Sequence, residues 1–180
     1  MARPRIALLI LDMVNPFDFP GGSRLRARTE RVVPRLLALK ARVRESGGHC
    51  LYVNDNFGRW QSEFSELQAH VQATAGADIA GRIAPDREDR SVLKPKHSGF
   101  FQTPLELLLE QDRIDTVVVA GIATDSCVLA TALDAHMRDL RCLVPSDCTE
   151  AMTDPRKAAA LTVLRGARID TRASRSIELD

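Results

Sequence analysis

Residues 116–134, TVVVAGIATDSCVLATALD, join a β-branched run to an Ala- and Leu-rich segment through a glycine and a short polar turn. β-Branched residues favour strands, and the apolar spacing after Cys127 is typical of a helix. The stretch therefore predicts a strand, a sharp turn and a helix that begins near Cys127. Because a helix N-terminus has unpaired N–H groups and a partial positive charge, a thiol placed there can ionise near neutral pH. The alternative is a small buried cysteine that only packs beneath the helix.

The same alternation of strand and helix patterns extends along the whole chain. Short apolar runs predict strands at 5–11, 49–53, 90–93, 115–120, 141–145 and 168–171. Helical periodicity is found at 29–46, 62–74, 105–111, 127–138 and 154–164. The Pro- and Gly-containing segments 13–23 and 75–89 are predicted to be irregular.

This alternation favours the α/β class, with a parallel sheet covered by helices on both faces. We expect a three-layer α-β-α, Rossmann-like fold built on a six-stranded, mostly parallel sheet. With 44% hydrophobic residues and no internal repeat or break in composition, residues 1–180 are predicted to form a single domain.

Charge and composition limit the possible partners. The formal net charge of +1 gives no reason to expect binding to nucleic acid or to a membrane surface. The longest apolar run near the start, 6–11, is too short to span a bilayer and has no signal-peptide cleavage site. We therefore expect a cytoplasmic protein whose partner is a small-molecule substrate.

The cysteines and histidines are scattered and show no metal-binding pattern. No C-x-x-C or H-E-x-x-H motif occurs, so reduced thiols are expected and neither a metal nor another cofactor is predicted. Cys50 and Cys142 lie in apolar strands and are interpreted as packing residues, whereas Cys148 could border a pocket. His97 and His136 are interpreted as structural or exposed.

Three chemically capable side chains follow predicted strands: Asp12, Lys94 and Cys127. Ligands of parallel α/β sheets bind beyond the carboxyl ends of the strands, so these three groups are expected to meet there. Asp12 could then take the thiol proton, Lys94 could orient Asp12 and favour the anions, and backbone N–H groups of 123–127 could receive an oxyanion. The simpler interpretations are that Asp12 only caps a helix or loop and that Lys94 is a surface residue. Asp125 is predicted to be the N-cap of the Cys127 helix.

With these three residues in this order, the chain resembles the isochorismatase-like cysteine hydrolases, which include nicotinamidases, N-carbamoylsarcosine amidohydrolases and isochorismatases. The resemblance spans nearly the whole chain and is carried by three ordered motifs. They are LILDMVNPF at 9–17, VLK at 92–94 with SGF at 98–100 and TPL at 103–105, and GIATDSCV at 121–128 with TA at 131–132 and DA at 134–135.

The resemblance implies that Asp12, Lys94 and Cys127 form a catalytic triad. It favours Lys94 over Lys96 as the catalytic lysine, because the family's lysine lies four residues before the Ser of the Ser-Gly-Phe signature. It also implies a cis peptide bond between Ile122 and Ala123, with the Ala123 and Cys127 amides as the oxyanion hole. Members of the family are commonly dimers or larger, so a homo-oligomer is expected.

Departures from the family pattern narrow the expected activity. Isochorismatases lack the cysteine, so the presence of Cys127 favours carbon–nitrogen bond hydrolysis. The Asp-x-His of nicotinamidases is replaced by Asn54-Asp55-Asn56, which argues against that activity, and Val14 replaces the family's Gln. The residues predicted to contact substrate, with core packing as the alternative for each aromatic, are Phe17, Asn56, Phe57, Trp60, Phe100 and Thr124, and Phe19 and Phe101 are further possibilities.

The sequence thus predicts a cysteine-dependent hydrolase of a small amide, carbamoyl or ureido compound acting through a thioester. Ester or thioester substrates stay open, because the same thiol would attack those carbonyls. A catalytically altered member that only binds a small molecule is the alternative function. A dinucleotide-binding domain is disfavoured, because no strand is followed by G-x-G-x-x-G.

Overall fold

The computed structural model describes residues 5–59 and 63–179. Its strands are β1 (Ile6–Leu11), β2 (His49–Asp55), β3 (Arg90–Lys94), β4 (Thr116–Ile122), β5 (Arg141–Leu143) and β6 (Thr149–Glu150). Its α-helices are α1 (Gly22–Glu45), α2 (Phe64–Gln72), α3 (Ala77–Arg82), α4 (Leu105–Gln111), α5 (Leu129–His136) and α6 (Asp154–Gly166). A π-helical turn spans Thr124–Val128 and a 3₁₀ turn spans Ser174–Ser176.

The strands form one six-stranded parallel sheet with the order β3-β2-β1-β4-β5, and β6 pairs with the carboxyl end of β4. Alternate residues of β1 enter two separate apolar cores, because successive strand side chains point to opposite faces of a sheet. Leu8 and Ile10 pack with residues of α1 such as Leu36, while Leu9 and Leu11 belong to the core that includes residues of α4, α5 and α6. The predicted three-layer α-β-α architecture is confirmed.

The sixth strand is not where the sequence predicted it. Within 168–171 only Asp170 pairs, through a single bridge to Leu143, and Arg168 has a positive φ of 62° that interrupts an extended run. The sixth strand is instead β6, whose two residues pair with Gly121 and Ile122. Its polar sequence, Thr149-Glu150, gave no apolar pattern from which to predict it.

Two helical regions also differ from the sequence prediction, one in where it begins and one in being a helix at all. Helix α1 begins at Gly22, not near residue 29, and Gly21 precedes it in a left-handed conformation with φ 83°. Gly22 and Ser23, the first residues of this helix, were included in the predicted loop 13–23, whose prolines and glycines usually break helices. Segment 75–89, predicted to be irregular, contains α3, which buries Ile79 completely.

None of the helices in the described ranges is both long and apolar enough to cross a membrane.

Gly121 allows β4 to approach β1 at the carboxyl edge of the sheet. It pairs with Leu11, has φ 108°, and an added Cβ would lie 2.1 Å from the Leu11 carbonyl oxygen. That distance is shorter than any real contact, and Leu11 immediately precedes Asp12. A side chain at 121 would therefore push apart the two strands that carry Asp12 and the Cys127 turn.

We expect Gly121→Ala to lower the free energy of unfolding by about 2–4 kcal/mol, because it combines left-handed strain with backbone overpacking. Gly47→Ala is a matched control, since Gly47 has a similar positive φ of 82° but nothing within 4 Å of an added Cβ. The control should lose only about 1 kcal/mol, from left-handed strain alone. Urea unfolding of both variants measures the difference, and equal losses would contradict the close-approach argument.

Candidate active site

Asp12, Lys94 and Cys127 come together at the carboxyl edge of the sheet. Asp12 directly follows β1, Lys94 ends β3, and Cys127 lies in the π-helical turn between β4 and α5. Since β1 lies between β2 and β4, and β3 lies beyond β2, the parallel strands deliver all three residues to the same edge. The sequence-based expectation that they meet is thus confirmed in geometry.

The lysine stands between the other two groups. Lys94 Nζ is 3.0 Å from Asp12 Oδ2 and 3.3 Å from Cys127 Sγ. The three residues are 5% (Asp12), 0% (Lys94) and 8% (Cys127) exposed, so their contacts are shielded from water. The neighbouring Lys96 is exposed and only its backbone carbonyl reaches the cluster, by accepting a hydrogen bond of 3.2 Å from Lys94 Nζ. The geometry therefore favours Lys94 over Lys96.

Asp12 is held by the adjacent strand as well as by the lysine. Its Oδ1 accepts a 2.6 Å hydrogen bond from the Asp55 backbone N–H, and its own N–H donates to the Val53 carbonyl. Asp12 has a positive φ of 52°, a conformation that Asp tolerates better than most residues. The Asp55 carboxylate lies 3.5 Å from Lys94 Nζ and adds a second negative charge beside the ammonium.

Burial decides the protonation state of the thiol. Burial and then the charge of Asp12 raise the pKa of Cys127 to about 12, although Lys94 acts in the opposite direction. Burial also raises the pKa of Asp12, against the opposing charge of Lys94. Burial works to lower the pKa of Lys94, but Asp12 and Cys127 outweigh it and the pKa is raised. Burial and Asp12 therefore favour the protonated thiol, whereas Lys94 favours the thiolate that the sequence predicted.

The turn that carries Cys127 is firmly anchored. The Ala123 carbonyl accepts hydrogen bonds from the Ser126 and Val128 N–H groups, at 3.0 and 3.2 Å. The buried hydroxyl of Thr124 pairs with that of Thr149 in β6 at 2.9 Å. The Ile122–Ala123 peptide bond is cis, as the family resemblance implied.

A cleft of about 230 Å³ opens over the cysteine. It is smaller than the 300–1,000 Å³ typical of sites for drug-sized ligands, which favours a small substrate. The described residues that line it are Asp12, Asn15, Phe19, Leu25, Asp55, Phe57, His97, Ile122, Ala123, Asp125, Ser126, Cys127, Met152 and Arg156.

Of the five predicted substrate-contact residues that the structure describes, Phe57 alone lines this cleft. Phe17 is buried in the core beside Phe19, and Thr124 is buried against Thr149. Asn56 lines a different groove, and Phe100 packs under the Arg138 guanidinium at 4.5 Å. Trp60 lies outside the described residues.

Of the two further aromatic possibilities, Phe19 lines the cleft, whereas Phe101 is exposed and is absent from the residues that line it. These aromatics were predicted to lie at the site because they are near its motifs in the sequence, but Phe17 and Phe100 pack in the cores instead.

His97 was expected to be structural or exposed, and it is exposed at the mouth of the cleft. Its Nδ1 is 3.1 Å from Ser126 Oγ and 3.7 Å from Cys127 Sγ. Its position three residues after Lys94 was a signal that it could lie near the thiol. Met152 and Arg156 had no such signal, because they come from a loop and a helix that only the tertiary structure brings to the cleft.

Asp125 is not the N-cap that the sequence predicted. Ala123 occupies the N-cap position of the π-helical turn, and no side chain caps it. The Asp125 carboxylate instead forms an ion pair with Arg156 of α6. Asp125 thus forms a long-range ion pair with Arg156 in place of a local N-cap hydrogen bond.

The other cysteines are buried away from the cleft. Burial raises the pKa of Cys50 to about 11 and that of Cys142 and Cys148 to about 12. Cys148 is completely buried and does not line the cleft. Within residues 5–59 and 63–179, no group of three or more His, Cys, Asp or Glu side chains is arranged to hold a metal ion.

The fold and this cluster define an α/β protein with a buried thiol, carboxylate and ammonium at the carboxyl edge of its parallel sheet. The profile described as "Isochorismatase domain" matches residues 6–174, which is nearly the whole chain. The chain belongs to the isochorismatase family, as the sequence resemblance indicated.

Individual relatives agree with this assignment. The isochorismatase family protein YaaI of Bacillus subtilis, described as uncharacterized, is 38% identical over 164 residues that cover 91% of each chain. Maleamate amidohydrolase of Pseudomonas putida is 27% identical over 161 residues, covering 84% of this chain and 76% of the relative. The crystal structure of N-carbamoylsarcosine amidase from Thermoplasma acidophilum is similar with a TM-score of 0.73 and 28% identity, covering 97% of this chain and 99% of that one.

Substitutions of Asp12 and Lys94, the two charged neighbours of Cys127, are predicted to shift the Cys127 pKa in opposite directions. Asp12→Asn removes the negative charge that raises the Cys127 pKa, so the thiol should ionise at lower pH. Lys94→Met removes the charge that lowers it, so ionisation should move to higher pH.

Thiolate ultraviolet absorbance followed against pH, with the Cys127→Ala protein subtracted, measures both shifts. Asn is nearly isosteric with Asp and also tolerates positive φ, so Asp12→Asn should preserve the turn. A shift of the same sign in both variants would show that the charges do not act on the thiol as the distances indicate.

Proposed function

We propose that this protein is a cysteine-dependent hydrolase that cleaves the C–N bond of small amide, carbamoyl or ureido compounds through a thioester. The observation that carries the proposal is the Lys94 ammonium in contact with both Asp12 and Cys127, at 3.0 and 3.3 Å, beneath a small cleft. The chemistry uses groups of this chain and a water molecule, and it requires no cofactor.

In the first step, the thiol loses its proton to the Asp12 carboxylate as its sulfur attacks the substrate carbonyl carbon. The raised pKa of Asp12 makes its carboxylate a stronger base and favours this transfer, whereas the raised pKa of Cys127 makes the thiol a weaker acid and opposes it. Lys94 stabilises the developing thiolate charge, which is worth more in a site shielded from water.

The tetrahedral intermediate places negative charge on the former carbonyl oxygen. We assign the Ala123 and Cys127 N–H groups to receive it, since both residues line the cleft at the turn that carries the nucleophile. Loss of one donor of this kind typically costs about 100- to 1,000-fold in kcat.

The C–N bond then breaks, and the leaving nitrogen takes the proton from Asp12, which restores the carboxylate and leaves a thioester on Cys127. Asp12 next removes a proton from water, and the resulting hydroxide attacks the thioester carbonyl. When the C–S bond breaks, the sulfur recovers the proton from Asp12, and the free acid departs. Atoms and charge balance over the cycle, which consumes one water and releases one amine or ammonia.

The relatives described as maleamate amidohydrolase and N-carbamoylsarcosine amidase support cleavage of a C–N bond rather than of a vinyl ether. Phe19, Phe57 and Met152 give the cleft apolar wall area, and Asn15 contributes an amide. This lining suits a small amide, although an ester or thioester would meet the same nucleophile. We further propose that the protein acts in the cytoplasm without nucleic-acid or membrane partners and, from the family resemblance alone, that it is a homo-oligomer.

Ammonia release from a panel of nicotinamide, carbamoyl-amino acids, ureido acids, biuret and maleamate tests the activity. Cys127→Ala should abolish turnover of every compound that the wild type cleaves, because no nucleophile remains at that position. Cys142→Ala is the matched control, since it removes a buried thiol outside the cleft and should retain turnover.

Mass spectrometry of the wild type mixed with a cleaved substrate should detect an acyl adduct on Cys127 that hydroxylamine removes. Asp12→Asn should form little adduct even though its thiol ionises more readily, because the group that protonates the leaving nitrogen is missing. Turnover that survives Cys127→Ala would refute the covalent mechanism. Binding of panel compounds without any turnover by the wild type would favour the alternative, a small-molecule-binding member of the family.

A further inference from the structure

The cleft contains an arginine that the proposed mechanism does not use. Arg156 lies in the first turn of α6, where its backbone N–H bonds to the Thr153 hydroxyl, and its side chain lines the same cleft as Cys127. The side chain is 58% exposed, so a ligand can reach it. No lysine lines this cleft in the described part of the chain, and the Lys94 ammonium below it is fully buried.

Arg156 is oriented by Asp125 without being fully occupied. Its Nε contacts Asp125 Oδ2, and the Asp125 side chain is only 13% exposed. Within the described residues, neither Nη group of Arg156 has a hydrogen-bond partner. Since a guanidinium has five N–H donors in a planar fork, an arginine held through Nε still presents its outer edge to a ligand.

We propose that Arg156 binds a carboxylate of the substrate and so makes the enzyme selective for small amides that carry an acidic group. This inference rests on the proposed function and names its substrate class. A carboxylate matches the planar guanidinium and accepts two parallel N–H bonds, and the small volume of the cleft keeps the carboxylate near the scissile carbonyl.

The other charges of the cleft do not oppose this assignment. Asp12 and Asp55 both lie within 3.5 Å of Lys94, which compensates their charge on the nucleophile side. Asp125 faces Arg156 and is compensated by it. A substrate carboxylate at the outer edge of Arg156 therefore meets a hydrogen-bond donor and no uncompensated acid, whereas the region around Cys127 is free for the uncharged amide.

Succinamate and succinamide form a matched pair of probes, because they have the same length and differ in one carboxylate or carboxamide end. We expect the wild type to favour succinamate, and Arg156→Gln to lower kcat/KM for succinamate by about 10- to 100-fold, as for other charged hydrogen bonds, with little change for succinamide. Most of the loss should appear in KM if the carboxylate is bound equally before and during the reaction.

Two variants control for general effects. Arg156→Lys keeps the charge but loses the fork and should give an intermediate value. Arg165→Gln removes an exposed arginine from the same helix outside the cleft and should leave both probes unchanged. Equal kcat/KM for the two probes in the wild type, or equal losses for both in Arg156→Gln, would overturn the assignment.

Calorimetric binding to Cys127→Ala protein separates this proposal from the proposed function. Tighter binding of succinamate than of succinamide, lost in the Cys127→Ala/Arg156→Gln double variant, supports the carboxylate site even if the wild type shows no turnover. Equal binding of the two probes overturns it, even if the protein proves to be an amidohydrolase.

Discussion

The contact of the Lys94 ammonium with Asp12 and Cys127 is the interaction on which the site depends. A fully buried ammonium is costly unless charged and polar groups surround it closely. Here the Asp12 and Asp55 carboxylates, the Cys127 sulfur and the Lys96 carbonyl all lie within 3.5 Å of its Nζ atom. The lysine and its partners therefore stabilise one another, and removing any one of them changes the electrostatics of the rest.

This arrangement requires the carboxyl ends of four adjacent strands to lie at the same edge of the sheet. The parallel pairing of β3, β2, β1 and β4 brings them together, and the register of Leu11 with Gly121 sets the separation of Asp12 from the Cys127 turn. Gly121 is essential to that register because a side chain there would collide with the Leu11 carbonyl. The stability of the central strands and the geometry of the site are thus coupled through one residue without a side chain.

The protonation states of the cluster give the proposed chemistry its direction. Burial raises the pKa of Cys127, while Lys94 lowers it and stabilises sulfur most when negative charge develops on it. The exposed, polar side of the same cleft, which includes His97 and Arg156, is where we propose that substrates are distinguished.

The sequence by itself determined the α/β class, the parallel sheet and the identity of the three groups that meet at its edge. These follow from local information, since apolar periodicity defines strands and helices and a parallel sheet collects residues that follow its strands. It did not determine β6, whose two polar residues pair only because β4 extends past β5.

Tertiary structure also decided which aromatic residues face the cleft. Phe57 lines it, whereas Phe17 and Phe100 pack elsewhere, although all three lie near site motifs. The ion pair of Asp125 with Arg156 joins residues 31 positions apart, and the high pKa of Cys127 arises from burial among residues of several strands. Burial and long-range charge depend on the whole packed chain, and for that physical reason they were absent from any local pattern.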